Sequence, residues 1–185
     1  NMLSLVTAMQ RQTASSAASL AEFNKSFGAR IQALARSTDL LVDGGWSSVD
    51  LAELVRAQLD PFLHLQAKAV DVDGPSVALG PQALQLIGMA LHELATNSTK
   101  YGVMSDGCGD IQCHWSHTEK GGLRFQWIET GITFDPSANK ATGFGSKVLS
   151  VLAPAMVNGA AETVTSENAL TWTVTIPAAH LGKLA

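Results

Sequence analysis

Leu91-His92-Glu93-Leu94-Ala95-Thr96-Asn97-Ser98-Thr99-Lys100-Tyr101-Gly102 is the stretch whose reading decides the fold. Its spacing predicts one helix with an apolar side and a chemical side. At about 100° per residue, Leu84, Ile87, Leu91, Leu94, Ala95 and Ser98 share one arc, and Glu93, Asn97 and Lys100 share the opposite one. A carboxylate, a carboxamide and an ammonium at i, i+4 and i+7 lie on one face. They offer a base or metal orienter, a neutral oxygen ligand and a phosphate-binding cation, a set that suits a magnesium-nucleotide site. The same pattern alone also describes an amphipathic helix with a solvated outer face.

Working upstream, Gly80-Pro81 opens this helix, with proline in its first turn. Short strands are predicted over 69–73 and 76–79, around the Asp73-Gly74-Pro75 turn. Asp50-x-x-Glu53 caps a helix that reaches residue 62. Ser19-x-x-Glu22 is a capping box for a longer helix, striped by Leu20, Phe23, Phe27, Ile31, Leu34 and Leu41 and ended by Asp43-Gly44-Gly45. Met2, Leu5, Val6 and Met9 precede it at helical spacing. The small polar run 13–18 reads as the turn between two helices. Residues 1–45 thus form an antiparallel helical hairpin, expected to pack on a second copy of the chain. The plainer alternative is a two-helix piece of a globular core.

Downstream of Gly102 the period changes to two. Ile111, Cys113, Trp115 and His117 alternate with Gln112, His114 and Ser116. After a turn at Glu119-Lys120-Gly121-Gly122, Leu123, Phe125 and Trp127 alternate with Arg124, Gln126 and Ile128. A loop over 130–145, a helix over 146–156 and two strands complete the chain, the last carrying Leu170, Trp172, Val174 and Ile176 on one face. Residues 46–185 therefore read as a two-layer α+β sandwich, with helices on the apolar side of one sheet.

The chain has 185 residues, of which 46% are apolar, enough for a core without disulfides or metal. A net charge of -4 and a pI near 5.7 argue against a nucleic-acid or anionic-membrane surface. Cys108 and Cys113 read as thiols of a reducing compartment. No apolar run approaches the roughly 20 residues of a membrane span, and no signal peptide is legible, so a cytoplasmic location is expected. Asn1 falls inside a predicted helix, which reads as the start of a fragment.

Two further motifs carry chemistry. In Trp127-Ile128-Glu129-Thr130-Gly131, a carboxylate at a strand end precedes a glycine. Such an acid can accept from an exocyclic amine while the glycine lets a flat ring approach the backbone. In Gly143-Phe144-Gly145-Ser146-Lys147, glycines flank a helix start whose N–H groups can cradle phosphate. Each alone is an ordinary strand end or loop. Cys108, Cys113, His114 and His117 raise the thought of zinc. Alternation sends Cys113 and His117 to one face and His114 to the other, against a convergent tetrahedral site, so a free buried Cys113 fits better.

Their order decides the matter. An Asn-bearing helix, a strand-end acid with glycine and a Gly-x-Gly helix start, in that sequence, resemble the GHKL (Bergerat) ATP-binding fold of histidine kinases. The combination of His92 with Trp127-Ile128-Glu129 is similar to the HWE sensor histidine kinases, and the stretches around Leu34-Ala35-Arg36 and Asp39-Leu40-Leu41 look like that family's dimerisation helix. The resemblance implies that Asn97 ligates magnesium and that Lys100 and Tyr101 contact phosphate or ribose. It implies an adenine-contacting role for Glu129, and a phosphate lid from Gly143, Gly145, Ser146 and Lys147, with His92, Gly131 and Phe144 in the same nucleotide site. Glu93 would orient a metal water or act as base. The chain departs from the family at Ser37-Thr38 and at Ile132.

The activity so implied is transfer of the γ-phosphoryl group of ATP, with Mg2+, to a protein histidine, and then to an aspartate of a response-regulator receiver domain. The accepting histidine would lie just ahead of Asn1, since none of His64, His92, His114, His117 or His180 has its context. An upstream sensory domain and a homodimer through the hairpin are further expectations, with no nucleic acid as partner. Two alternatives are a phosphotransfer scaffold that has lost ATP and a serine kinase of the anti-sigma type. The long hairpin argues against the second.

Overall fold

The structure, a computed structural model, describes residues 2–63, 70–106, 109–132 and 144–182. Two helices lead: α1 (Met2–Ser16) and α2 (Leu20–Asp43). The Ser19 hydroxyl accepts from the Glu22 amide at 3.1 Å, and the Glu22 carboxylate accepts from the Ala18 amide at 2.8 Å, closing the capping box. At the other end the Gly44 amide donates to the Leu40 carbonyl. Helix α1 runs through Thr13, Ser15 and Ser16, which the sequence placed in the turn. Their hydroxyls donate to carbonyls three or four residues back, so these small polar residues satisfy themselves within a helix.

β1 (Val49–Asp50) and α3 (Leu51–Leu63) follow. Asp50 caps α3 by accepting from the Ala52 amide at 2.9 Å. β2 (Val70–Asp73) and β3 (Ala78–Leu79) flank the Gly74-Pro75 turn but enter different sheets: β3 pairs with β1, and β2 runs parallel to β4 (Asp110–His117). β1 is too short to carry a two-residue pattern, which hid it in the sequence. β5 (Leu123–Thr130), β6 (Ala160–Thr165) and β7 (Ala169–Ile176) complete a five-stranded sheet in the order β2-β4-β5-β7-β6, antiparallel except at β2.

The inward face carries Cys113, Trp115, Phe125, Trp127, Trp172 and Val174, all buried. On it lie α4 (Pro81–Tyr101) and the helical segment formed by α6 (Phe144–Lys147), a π-helical turn over Val148–Leu152 and α7 (Ala153–Met156). The one-residue α5 gap after α4 is spanned by Gly102, and α5 covers Val103–Asp106. Pro154 has no N–H to donate back along this segment, and the Leu149 carbonyl accepts from the Trp172 indole at 3.1 Å. The start of α4 is pinned by the chain's end, where the Gly80 amide donates to the His180 carbonyl.

The hairpin is not a detached arm. Met9 and Leu41 belong to the same apolar core as the sheet residues. Helix α2 approaches α4 so closely at Gly88 that a Cβ there would lie 2.1 Å from the Ser37 hydroxyl. That hydroxyl accepts from Gln58 of α3 at 2.9 Å, and the same amide donates to the Ala33 carbonyl. Three helices meet around this polar knot.

Candidate functional site

Helix α4 has no solvated chemical side over its central turns. Glu93 is only 4% exposed and His92 7%, because α2 and α3 cover the arc opposite the sheet. The Glu93 carboxylate takes both arms of the Arg30 guanidinium of α2: Nε donates to Oε1 at 2.7 Å and Nη2 to Oε2 at 3.1 Å. The third arm, Nη1, donates to the Thr13 hydroxyl of α1 at 2.9 Å, and Thr13 donates onward to the Met9 carbonyl. A fork matched to a carboxylate is the strong form of such a pair. Sequence reading found Glu93 and missed both Arg30 and Thr13; a cation on an otherwise apolar helical stripe was the available signal.

One turn on, Asn97 is half-buried and faces the start of α6. A Cβ at Gly145 would stand 2.9 Å from Glu93 Oε2 and 3.4 Å from Asn97 Nδ2, so a glycine is required for α6 to close on these two side chains. Ser146 and Lys147 are exposed there, and Lys147 Nζ donates to Gln12 Oε1 of α1 at 3.1 Å. Lys100 and Tyr101 are exposed at the end of α4, Tyr101 at 76%. The structure thus gathers Glu93, Asn97 and Gly145 at one point, with Ser146 and Lys147 beside it. Gly143 lies outside the described residues, and of Phe144 only the helical backbone is described.

Glu129 has a different setting from that of an acid facing an open pocket. It is 3% exposed, and three donors converge on it: the Ser98 hydroxyl at 2.9 Å and the Val103 amide at 3.1 Å on Oε2, and the Trp127 indole at 2.8 Å on Oε1. Ser98 also accepts from the Met104 amide at 3.1 Å. Gly102 is forced by this cluster, since a Cβ would fall 2.3 Å from Glu129 Oε2. Glu129 therefore fastens the end of α4 and the start of α5 to strand β5. Ser98, a polar residue on the apolar arc of α4, was the sign of this partner. Gly131 next to it takes φ +84, which favours glycine, and its amide donates to the Asn168 carbonyl. Ile132, the departure noted in the sequence, is buried.

His92 turns toward α3, its ring 5.8 Å from that of Phe62, and no hydrogen-bond partner among the described residues reaches its Nδ1. Burial pushes its pKa down to about 4. Glu93 pulls the other way, and Arg36 and Arg30 reinforce the lowering. His92 is thus a neutral packing residue behind Glu93. Cys113 is a free, buried thiol whose pKa burial raises. His114 sits on the opposite sheet face, 3.7 Å from both Asp71 and Asp73. No group of metal-binding side chains occurs among the described residues. An open groove of about 630 Å3 near Thr118, Lys120, Asn158 and Ile176 lies at the far end of β5 from Glu129 and takes no part in this site.

A helical pair followed by a mixed five-stranded sheet with helices on one face, with the Asn97-bearing helix meeting the helix start at Gly145, defines the histidine-kinase core. The whole chain superposes on the histidine kinase domain of the Erythrobacter litoralis EL346 blue-light activated histidine kinase with a TM-score of 0.73, at 17% identity, over 97% of this chain and 87% of that one. At that identity the likeness is one of fold. Within this class, residues 1–76 match the family described as HWE histidine kinase. It is 30% identical over 151 residues to a blue-light-activated histidine kinase of Rhizobium johnstonii, covering 81% of this chain and 43% of that protein. It is 31% identical over 133 residues to blue-light-activated histidine kinase 1 of Erythrobacter litoralis, covering 71% and 37%. The chain spans less than half the length of these curated relatives. No helix among the described residues is long and apolar enough to cross a membrane.

Proposed function

We propose that residues 46–185 are the ATP-binding catalytic unit of a sensor histidine kinase and residues 1–45 its dimerisation and phosphotransfer hairpin. The observation that carries this reading is the convergence of Glu93, Asn97 and Gly145. The carboxamide oxygen of Asn97 is a hard ligand of the kind Mg2+ takes. The absence of a side chain at Gly145 leaves a cradle beside it that a Cβ would fill. The residues present therefore fit a magnesium-bound triphosphate. Mg2+ would supply neutralisation of charge on the phosphoryl oxygens.

The chain's own residues do the rest. Asn97 would offer its carboxamide oxygen to the metal, and the exposed Lys100 and Lys147 would bring cations to the phosphates. Ser146 adds a hydroxyl donor, and Tyr101 stands at the outer edge for ribose or phosphate. The Glu129 cluster sets the angle of the last turn of α4, and with it Lys100 and Tyr101. The adenine-contacting role the resemblance gives Glu129 would then fall to the strand end that it fixes, with Gly131 giving close access to the backbone. Glu93 accepts the proton of an incoming histidine nitrogen. In the family's chemistry the phosphohistidine then passes its phosphoryl group to a response-regulator aspartate, and a second copy of the chain would pack along the hairpin stripe of Leu20, Phe23 and Phe27.

Titration with a fluorescent ATP analogue, with and without Mg2+, tests the site. Saturable binding that Mg2+ strengthens and Asn97→Ala weakens at least tenfold is the expected result. No saturable binding would favour a scaffold of the same fold. Glu93→Ala should abolish phosphotransfer and leave nucleotide affinity within about threefold; unchanged transfer would remove Glu93 as the base.

A further inference from the structure

We propose that Arg30 is a latch that holds this protein in a non-transferring arrangement, and that phosphoryl transfer requires the Arg30–Glu93 pair to open. The inference rests on the reading of Glu93 as base. Both carboxylate oxygens of Glu93 are engaged by Arg30 Nε and Nη2, so neither faces an incoming proton.

Position adds to occupancy. Arg30 Nη1 ties the pair to Thr13, close to the C-terminal end of α1. Neither hairpin helix carries a histidine. An acceptor histidine on a helix that continued α1 ahead of Asn1 would stand thirteen or more residues from Thr13, roughly 20 Å at about 1.5 Å per residue. A general base must come within about 3 Å of the proton it takes. Glu93 docked at Thr13 is therefore at the wrong end of α1. The second tie, Lys147 of α6 to Gln12, fixes the phosphate side of the site to the same level of the hairpin. Glu93, Arg30, Thr13, Gln12 and Lys147 thus form one clasp across the hairpin and the sheet unit. A signal that shifts α1 against α2 would act on Thr13 and Arg30 first.

The test uses spin labels at Lys25→Cys on α2 and Glu119→Cys at the β4–β5 turn, both exposed positions, in a Cys108→Ser background where Cys113 is buried. The native chain should give one narrow distance. Arg30→Glu should broaden and lengthen it by several ångströms, and the charge swap Arg30→Glu/Glu93→Arg should restore it. Arg30→Gln gives the same reading with a milder change if Arg30→Glu fails to fold. A native distance in a folded Arg30 variant overturns the latch. In a chain that carries its acceptor histidine, Arg30→Gln should raise the initial autophosphorylation rate at least threefold; an unchanged or lower rate also overturns it. The distance readout needs no nucleotide, so a failure of the kinase reading and a failure of the latch give different results.

Discussion

Glu129→Gln is a one-atom-for-one replacement whose cost follows from three distances. The carboxylate accepts from Ser98, Val103 and Trp127 at 2.9, 3.1 and 2.8 Å. A carboxamide has one acceptor oxygen and an NH2 group. With its oxygen at the Oε2 position it keeps Ser98 and Val103, and its NH2 then meets the Trp127 indole N–H, donor against donor. Turned the other way, it sets that NH2 against the Val103 amide. In both orientations a buried N–H loses its acceptor, which costs about 1–3 kcal/mol. The surviving bonds also lose their charge assistance, about another 1 kcal/mol. A total near 3 kcal/mol corresponds to a drop in Tm of roughly 6–12 °C for a chain of this size. Urea denaturation and thermal melts of the protein without nucleotide measure it. A Tm within about 2 °C of the native value would refute the account of Glu129 as the fastener between α4 and β5, and would return it to the role of an open-pocket acid.

Three other outcomes follow from the same physics. The His92 pKa, lowered from 6.5 to about 4, means that the unfolded chain binds a proton that the folded one refuses. The stability this protects is whole above pH 6.5 and is lost as pH falls toward 4, by roughly 3 kcal/mol at about 1.4 kcal/mol per unit. Urea midpoints at pH 7 and 4.5 should differ less in His92→Phe than in the native protein, and equal differences would count against a buried neutral imidazole. Gly88→Ala drives a Cβ to 2.1 Å from the Ser37 hydroxyl, so α2 must shift on α4. Overpacking of about 1–3 kcal/mol should exceed the roughly 1 kcal/mol that alanine gains in a helix. Adding Ser37→Ala should recover part of the loss, and a Gly88→Ala protein as stable as the native one would show that the helices do not meet there. Gly145→Ala, with its Cβ 2.9 Å from Glu93 Oε2, should weaken Mg-nucleotide binding in the fluorescence titration while leaving the melt within a few degrees. Native affinity in that variant would detach Gly145 from the site.

Most of the fold can be read from period alone. A two-residue alternation from Ile111 to Trp127 can bury only one face, and a 3.6-residue stripe on α4 must lie on it. The capping residues Ser19 and Asp50 marked helix starts because each supplies a local acceptor to a local amide. Thr13–Ser16 misled for the same local reason: small hydroxyl residues serve a turn or a helix end equally well. The two-residue strand β1 has no period to show, and its pairing with β3 is a long-range event.

Which chemistry-bearing residue types exist, and in what order, was determined by the sequence: Glu93, Asn97 and Lys100 on one arc, Glu129 at a strand end, Gly145 at a helix start. What faces them was decided only by tertiary structure. Helical geometry put Glu93 on the arc away from the sheet, and nothing within the helix tells whether water or Arg30, 63 residues earlier in the chain, stands opposite. Likewise Glu129 carries its carboxylate into whatever β5 packs against, and the packing of α4 placed Ser98 and Val103 there. Local pattern fixes the direction in which a side chain points, because that depends on backbone period. Its partner depends on which elements meet, and that is settled by burial of apolar surface over the whole chain.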